Sequence, residues 1–233
     1  SSMRVDTSAI AEGSTLKCGI CIVGSGAAGI TIARSLVGAG LDVVLLEGGD
    51  LKGTEASQDL YKGEMVNRYR GKKDRTYLTT TRLRFFGGTT NHWNGWCRPL
   101  DPIDFRERSW VPESGWPFDE TELAPWYAAA ANWVDIPPFV ATASDYAKAK
   151  RHPLPIGDEA RIETKIFHYS PPTRFGTKYR KDLMDATDVR VLTGANVMRL
   201  RTNENVDQVH HVDVKTVAGV AFTVEAVRFV VAC

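Results

Sequence analysis

Apolar positions along this chain fall into two kinds of pattern, and the first fifty residues show both. Residues 18–23, Cys-Gly-Ile-Cys-Ile-Val, form a short continuous apolar run, which predicts a strand buried on both faces. Residues 26–39 carry small and branched side chains at helical spacing and predict a helix. Residues 41–46, Leu-Asp-Val-Val-Leu-Leu, predict a second buried strand. Strand, helix, strand in this order predicts a βαβ unit, hence a parallel sheet and an α/β fold.

The pattern then dissolves. From residue 52 to about residue 117, Gly, Thr and Asn are frequent and no period persists. The charged run at 68–75, Arg-Tyr-Arg-Gly-Lys-Lys-Asp-Arg, reads as a solvated loop. Asp119 followed by Glu120 and Glu122 predicts a capped helix running to Trp133, stopped by Pro137 and Pro138. Residues 140–160 read as loop and short helix. Beyond them the pattern predicts strands at 161–168, 189–192, 197–202, 209–217, 222–224 and 227–232, with a helix at about 177–186. No internal repeat or low-complexity tract interrupts the chain. The last run, Arg228-Phe-Val-Val-Ala-Cys233, is patterned for burial in a sheet yet has no following turn, so the chain reads as cut there.

Composition narrows the partners. In 233 residues, 43% are hydrophobic, enough for a sizeable core, and Lys+Arg at 29 against Asp+Glu at 28 leaves a net charge of +1. That balance supplies no field for nucleic acid or an anionic membrane and favours a small-molecule partner. No segment approaches the roughly 18 apolar residues of a membrane span. Four cysteines are too few for a disulfide framework and fit a reducing, cytoplasmic setting. The pair Cys18 and Cys21 has redox or metal spacing, but on a strand positions three apart point to opposite faces, so packing is the expectation.

The chemistry concentrates in two motifs. Val23-Gly24-Ser25-Gly26-Ala27-Ala28-Gly29 joins the first strand to the helix. Gly24 suits the tight turn, Gly26 a close approach of backbone to a pyrophosphate, and Gly29 close helix–strand packing. Glu47 ends the second strand, 18 residues after Gly29, where its carboxylate can accept hydrogen bonds from both hydroxyls of a ribose. It would repel a 2′-phosphate. Together these predict a dinucleotide site on a Rossmann-like fold. The second motif is Arg84-Phe-Phe-Gly87-Gly88-Thr89-Thr90-Asn91-His92-Trp93-Asn94.

With this second motif the sequence resembles the glucose–methanol–choline (GMC) flavoproteins, whose second FAD-contacting segment is Arg-x-x-Gly-Gly followed by small hydroxyl residues. Residues 22–47, 84–99 and the tail 189–231 fall in that family's order. The His92-Trp93 pair is most similar to the pyranose 2-oxidases and bacterial FAD-dependent sugar dehydrogenases. The resemblance implies FAD as cofactor and oxidation of an alcohol group, on a sugar or glycoside, by hydride transfer to flavin N5. It places His92 beside the dimethylbenzene ring and Asn94 beside N5. Gly87, Gly88, Thr89 and Thr90 would follow the pyrophosphate and ring edge, and the Val197 backbone would meet the adenine.

In pyranose oxidases the matching histidine carries the flavin covalently. Asn91 here replaces the threonine that precedes it there, which points to FAD held without a covalent link, a bond through His92 remaining open. The implied catalytic pair, His with His or Asn, matches nothing in this chain and is expected beyond Cys233, on a further segment or a separate chain. His152, His168, His210 and His211 receive no role, and no metal site is expected. All six tryptophans lie between Trp93 and Trp133, a clustering that predicts core and loop packing more than sugar stacking. The expected organisation is a Rossmann-like FAD-binding domain (GMC type) in two parts, 1–133 and 189–233, around a substrate-facing segment at 134–188. A flavin monooxygenase or reductase, or a flavin-binding module without activity, remains as an alternative. Substrate-dependent bleaching of flavin discriminates them.

Overall fold

A computed structural model describes residues 4–64, 77–139, 147, 162 and 164–233. The charged run at 68–75, nearly all of 140–160, and His152 lie outside the described residues. The chain divides into two compact units, Ser1–His92 with Arg174–Cys233, and Trp93–Thr173.

The first unit is built on a seven-stranded sheet ordered β1-β6-β3-β2-β9-β8-β7. Its strands are β1 (Arg4–Asp6), β2 (Thr15–Val23), β3 (Val43–Glu47), β6 (Val189–Thr193), β7 (Asn196–Thr202), β8 (Val209–Lys215) and β9 (Ala221–Val231). From β1 to β9 the sheet is parallel, and β8 and β7 complete it as antiparallel strands. Helix α1 (Ala27–Ser35) connects β2 to β3 and completes the βαβ unit. All five residues of β3 are buried, as a central parallel strand covered on both faces requires. Cys21, Val23, Val44, Leu46, Leu192, Val212, Phe222 and Val224 form one continuous core. The alternate residues Ile22, Leu45 and Val191 are equally buried, as are Ile30 and Ala33 of α1.

Several expected elements differ from those observed. Helix α1 ends at Ser35 because Gly38 and Gly40 adopt left-handed backbone conformations. The two strands expected at 222–224 and 227–232 are one eleven-residue strand, β9. Glu225 breaks the apolar pattern but keeps its place in the ladder, opposite His211, because its side chain reaches solvent, where it meets Lys17 at 3.3 Å. The helix expected at 177–186 is two short helices, α6 (Phe175–Lys178) and α7 (Arg180–Asp185). β1 was not anticipated, since three residues carry no period.

Cys18 and Cys21 also depart from expectation, for both pack on the same core cluster. The alternation slips at Gly19, where the Gly19 and Ile20 N–H groups both donate to Asp42 O, at 2.8 and 3.0 Å. Their role is packing all the same. Both are free thiols, and burial pushes Cys18 up to about 11 and Cys21 to about 12.

Along the chain after β3, the described residues form two short helices, α2 (Glu55–Asp59) and α3 (Tyr77–Thr80). The second unit holds α4 (Pro102–Phe105), α5 (Glu120–Trp133) and a two-stranded antiparallel sheet of β4 (Trp96–Cys97) and β5 (His168–Tyr169). Asp119 caps α5, its side chain accepting Thr121 N at 2.9 Å, as the sequence predicts. Of the strand expected at 161–168, among the described residues only His168 is in a strand, and 164–167 have no regular structure. The tryptophans do not form a core: Trp96, Trp110, Trp116 and Trp126 are each more than half exposed.

Candidate functional site

The turn leaving β2 is tied to the neighbouring strand, with Gly24 N donating to Leu46 O at 2.8 Å. Gly26 is the N-cap of α1 and offers no side-chain cap. No heavy atom lies within 4 Å of where a Gly26 side chain would begin. The helix therefore presents its first N–H groups and the positive end of its dipole, starting at Ala27, beside an open glycine face that suits a phosphate. A side chain at Gly29 would run into the Gly24 carbonyl, so only glycine lets the helix sit this close to its own turn.

Glu47 stands at the adjoining strand end and is 7% exposed. Its Oε2 accepts Ser25 N at 3.2 Å and Ser25 Oγ at 2.5 Å, and its Oε1 accepts Gly49 N at 2.7 Å. A carboxylate offers about four acceptor positions, so roughly one stays open for a further donor such as a ribose hydroxyl. The geometry adds a task that spacing alone does not reveal: Glu47 braces the glycine turn. The connection between β6 and β7 docks on the same end, through Gly194 N to Gly49 O at 2.7 Å and Ala195 N to Glu47 O at 2.8 Å. Half-buried Val197 follows two residues later, opposite Val214 of β8.

The second glycine segment lies against the first. Gly87 N donates to Ser25 O at 2.9 Å, and a side chain on Gly88 would come 3.1 Å from Gly26 Cα. Gly87 has φ 97°, and the space where its side chain would go is filled by Gly176 N, 2.6 Å away. Thr90 Oγ1 donates to Gly87 O at 2.6 Å and accepts Phe175 N at 3.2 Å. Asn91 Nδ2 donates to Phe86 O at 3.0 Å and Gly88 O at 2.9 Å. Thr90 and Asn91 thus face inward and hold the loop, whereas Thr89 and His92 are exposed. The Arg84 guanidinium fills the space beside Gly48.

Gly24 to Gly29, Glu47, Arg84, Gly87 to Asn91 and the turn before Val197 are therefore gathered at the carboxyl ends of the central strands β2 and β3. Trp93 and Asn94 belong to the second unit, where Trp93 Nε1 donates to Thr173 O at 2.9 Å and Asn94 is exposed. Sequence reasoning missed Arg174, whose Nη1 donates to Thr90 O at 3.0 Å, and Gly176. Both sit more than eighty residues from their partners, and no local signal marks them. Among the described residues no group of three or more His, Cys, Asp or Glu is arranged to hold a metal. Nor is any helix there long and apolar enough to cross a membrane.

An uncapped helix, a bare glycine face and a buried carboxylate fit the pyrophosphate and ribose of a dinucleotide such as FAD. Similar folds occur in pyridoxine 4-oxidase from Mesorbium loti (TM-score 0.52, 20% identity, covering 92% of this chain and 49% of that one). A variant formate oxidase from Aspergillus oryzae RIB40 is similar too (TM-score 0.50, 16% identity, covering 95% and 46%). Both are GMC oxidoreductases, the family that residues 84–99 resemble. The chain spans about half the length of these structures. No curated protein matches the sequence significantly. The family model for FAD dependent oxidoreductase (DAO) matches residues 19–233. A match of that extent, on a fold whose bare helix start and acidic strand end suit a dinucleotide, makes this chain a member of the FAD-dependent oxidoreductase family.

Proposed function

We propose that this chain forms the FAD-holding part of an enzyme that oxidises an alcohol group, on a sugar or glycoside. The observation that carries the reading is the apposition of two glycine segments, with Gly88 facing Gly26 and Gly87 bonded to Ser25. A nicotinamide site needs only the first segment; the second adds a wall suited to a flavin. FAD, when bound, supplies the acceptor for a hydride leaving the carbinol carbon.

The chain's own residues hold and orient. Gly24, Ser25, Gly26, Ala27 and Gly29 receive the pyrophosphate, Glu47 takes a ribose hydroxyl, and the Val197 backbone meets the adenine. Arg84, Gly87, Gly88, Thr89, Thr90 and Asn91 line the opposite wall, with His92 towards the flavin ring; for Trp93 and Asn94 a position near the ring follows from the resemblance alone. On this reading FAD is held without a covalent bond, because Asn91 stands where pyranose oxidases have threonine before the histidine, and its amide donates to the Phe86 and Gly88 carbonyls. The base that takes the hydroxyl proton we place outside residues 1–233, in the length of the neighbouring structures that this chain does not span. The exposed tryptophans of the second unit favour a sugar-like substrate. Four free thiols fit a cytoplasmic location.

The test is the colour and chemistry of the full-length protein. It purifies yellow and releases FAD in acid, and anaerobic addition of sugars or simple alcohols bleaches the visible flavin band. Colourless protein overturns the cofactor assignment. Flavin that NADH or NADPH bleaches, and that no alcohol does, points instead to a monooxygenase or reductase.

A further inference from the structure

We propose that Gln58 and Ser57, on α2, are the positioning residues that set the second glycine segment at its distance from the first. This rests on the flavin reading above. α2 is a single turn capped by Thr54, whose Oγ1 accepts Ser57 N at 3.2 Å. On that turn the Gln58 side chain makes three bonds to the backbone leading into Gly87. Its Nε2 donates to Thr79 O and to Arg82 O, each at 2.6 Å, and its Oε1 accepts Arg84 N at 3.1 Å. A primary amide has two donors and one carbonyl oxygen, so both donors are used.

Ser57, 3% exposed, takes the other side of Arg84. Its Oγ donates to Arg84 O at 3.0 Å and accepts Arg84 Nη1 at 3.3 Å. Arg84 is thus gripped at its N–H, its carbonyl and its guanidinium by two adjacent residues. Two residues, Phe85 and Phe86, separate Arg84 from Gly87, and they have little freedom. Phe86 is fully buried and its N–H donates to Asp50 O at 2.9 Å, while the Phe85 ring lies against Gly53. A displacement at Arg84 therefore passes to Gly87 and Gly88, which form the wall opposite Gly26.

The grip is tight because it is made of backbone partners. Losing the two Nε2 donors leaves the Thr79 and Arg82 carbonyls to find new partners and lets the segment 79–84 move. Neither Gln58 nor Ser57 needs to touch the cofactor. Their effect runs through Arg84.

The experiment compares the full-length wild-type protein with Gln58→Glu and Ser57→Ala. Thermal unfolding of the apoproteins, FAD titration and the visible circular dichroism of bound flavin are measured across pH. Gln58→Glu keeps the size and the acceptor but loses both donors. Two bonds at their usual net worth predict FAD binding about tenfold weaker near neutral pH, with an altered flavin dichroism, and Ser57→Ala a smaller loss of the same kind. A carboxyl pressed against two carbonyl oxygens favours its protonated form, which restores one donor. FAD affinity of Gln58→Glu relative to wild type should therefore recover as pH falls towards about 5. Affinity and dichroism within twofold of wild type in both variants, at every pH, overturn the proposal while leaving the flavin reading intact. Lower unfolding temperatures with unchanged FAD affinity overturn it as well, since the residues would then serve the fold alone. A wild-type protein that binds no FAD overturns the flavin reading and this proposal with it.

Discussion

Replacing Glu47 by Gln changes one oxygen into an NH₂ group, and the geometry allows no orientation that satisfies every neighbour. With the amide oxygen towards Ser25, the amide nitrogen faces Gly49 N, donor against donor. With the oxygen towards Gly49, the Ser25 hydroxyl can turn and accept, but Ser25 N loses its acceptor. One backbone N–H is stranded either way, at a side chain only 7% exposed. Leaving such a group unpaired costs about 1–3 kcal/mol, or roughly 5- to 150-fold in an equilibrium constant. The strain falls on the glycine turn, so Glu47→Gln should lower the denaturant midpoint of the apoprotein and also weaken FAD. Chemical unfolding and a flavin fluorescence titration read the two effects separately. An apoprotein within about 0.5 kcal/mol of wild type, with FAD affinity inside twofold, would refute the bracing role and the ribose role together.

Gly29→Ala drives a Cβ into the Gly24 carbonyl and should cost about 3 kcal/mol or more of unfolding free energy, read by urea denaturation; a change under about 1 kcal/mol would contradict the close packing. The thiols make stability fall in alkali. Burial raises Cys18 from 9.0 to about 11 and Cys21 to about 12, so unfolded thiols ionise before folded ones. Their contribution is complete below pH 9 and is lost as pH rises to about 12, which Cys18→Ala and Cys21→Ala should blunt in unfolding midpoints across that window. Acid precipitation should leave the flavin in the supernatant; yellow pellets from wild type that become colourless in His92→Ala would establish a covalent bond through His92.

The βαβ unit was legible because its signals are local. Continuous apolar runs mark strands covered on both faces, and β2, β3 and β6 appear where such runs predict them. The misread elements are those whose place depends on distant partners. β9 continues through Glu225 because the β8 and β2 ladders pair its backbone on both sides while its carboxylate stays in solvent. The side-chain phase of β2 slips at Gly19 because Asp42 O accepts two successive N–H groups, which no spacing within 18–23 encodes. The six tryptophans resemble a core in composition, yet four stand largely in solvent.

The site divides along the same line. A glycine that must open a turn or admit a helix leaves a mark in its own neighbourhood, so Gly24, Gly26 and Gly29 carry a local signal, whereas Gly87 is singled out by the resemblance alone. A side chain that binds backbone leaves none, since carbonyls and N–H groups occur at every residue and any Gln or Arg within reach can serve them. Gln58, Arg174 and Ser57 act on partners tens of residues away and are recognisable only once the fold has closed. Glu47 shows both halves in one residue. Its position after β3 gives the expectation of a ribose ligand, while its bonds to Ser25 and Gly49 appear only when the two strand ends are adjacent. A carboxylate so nearly filled has about one acceptor position to give, so the proposed ribose contact and the bracing of the turn draw on the same few lone pairs. Ser25→Ala would release one of them, and it should strengthen the ribose contact at the expense of the turn.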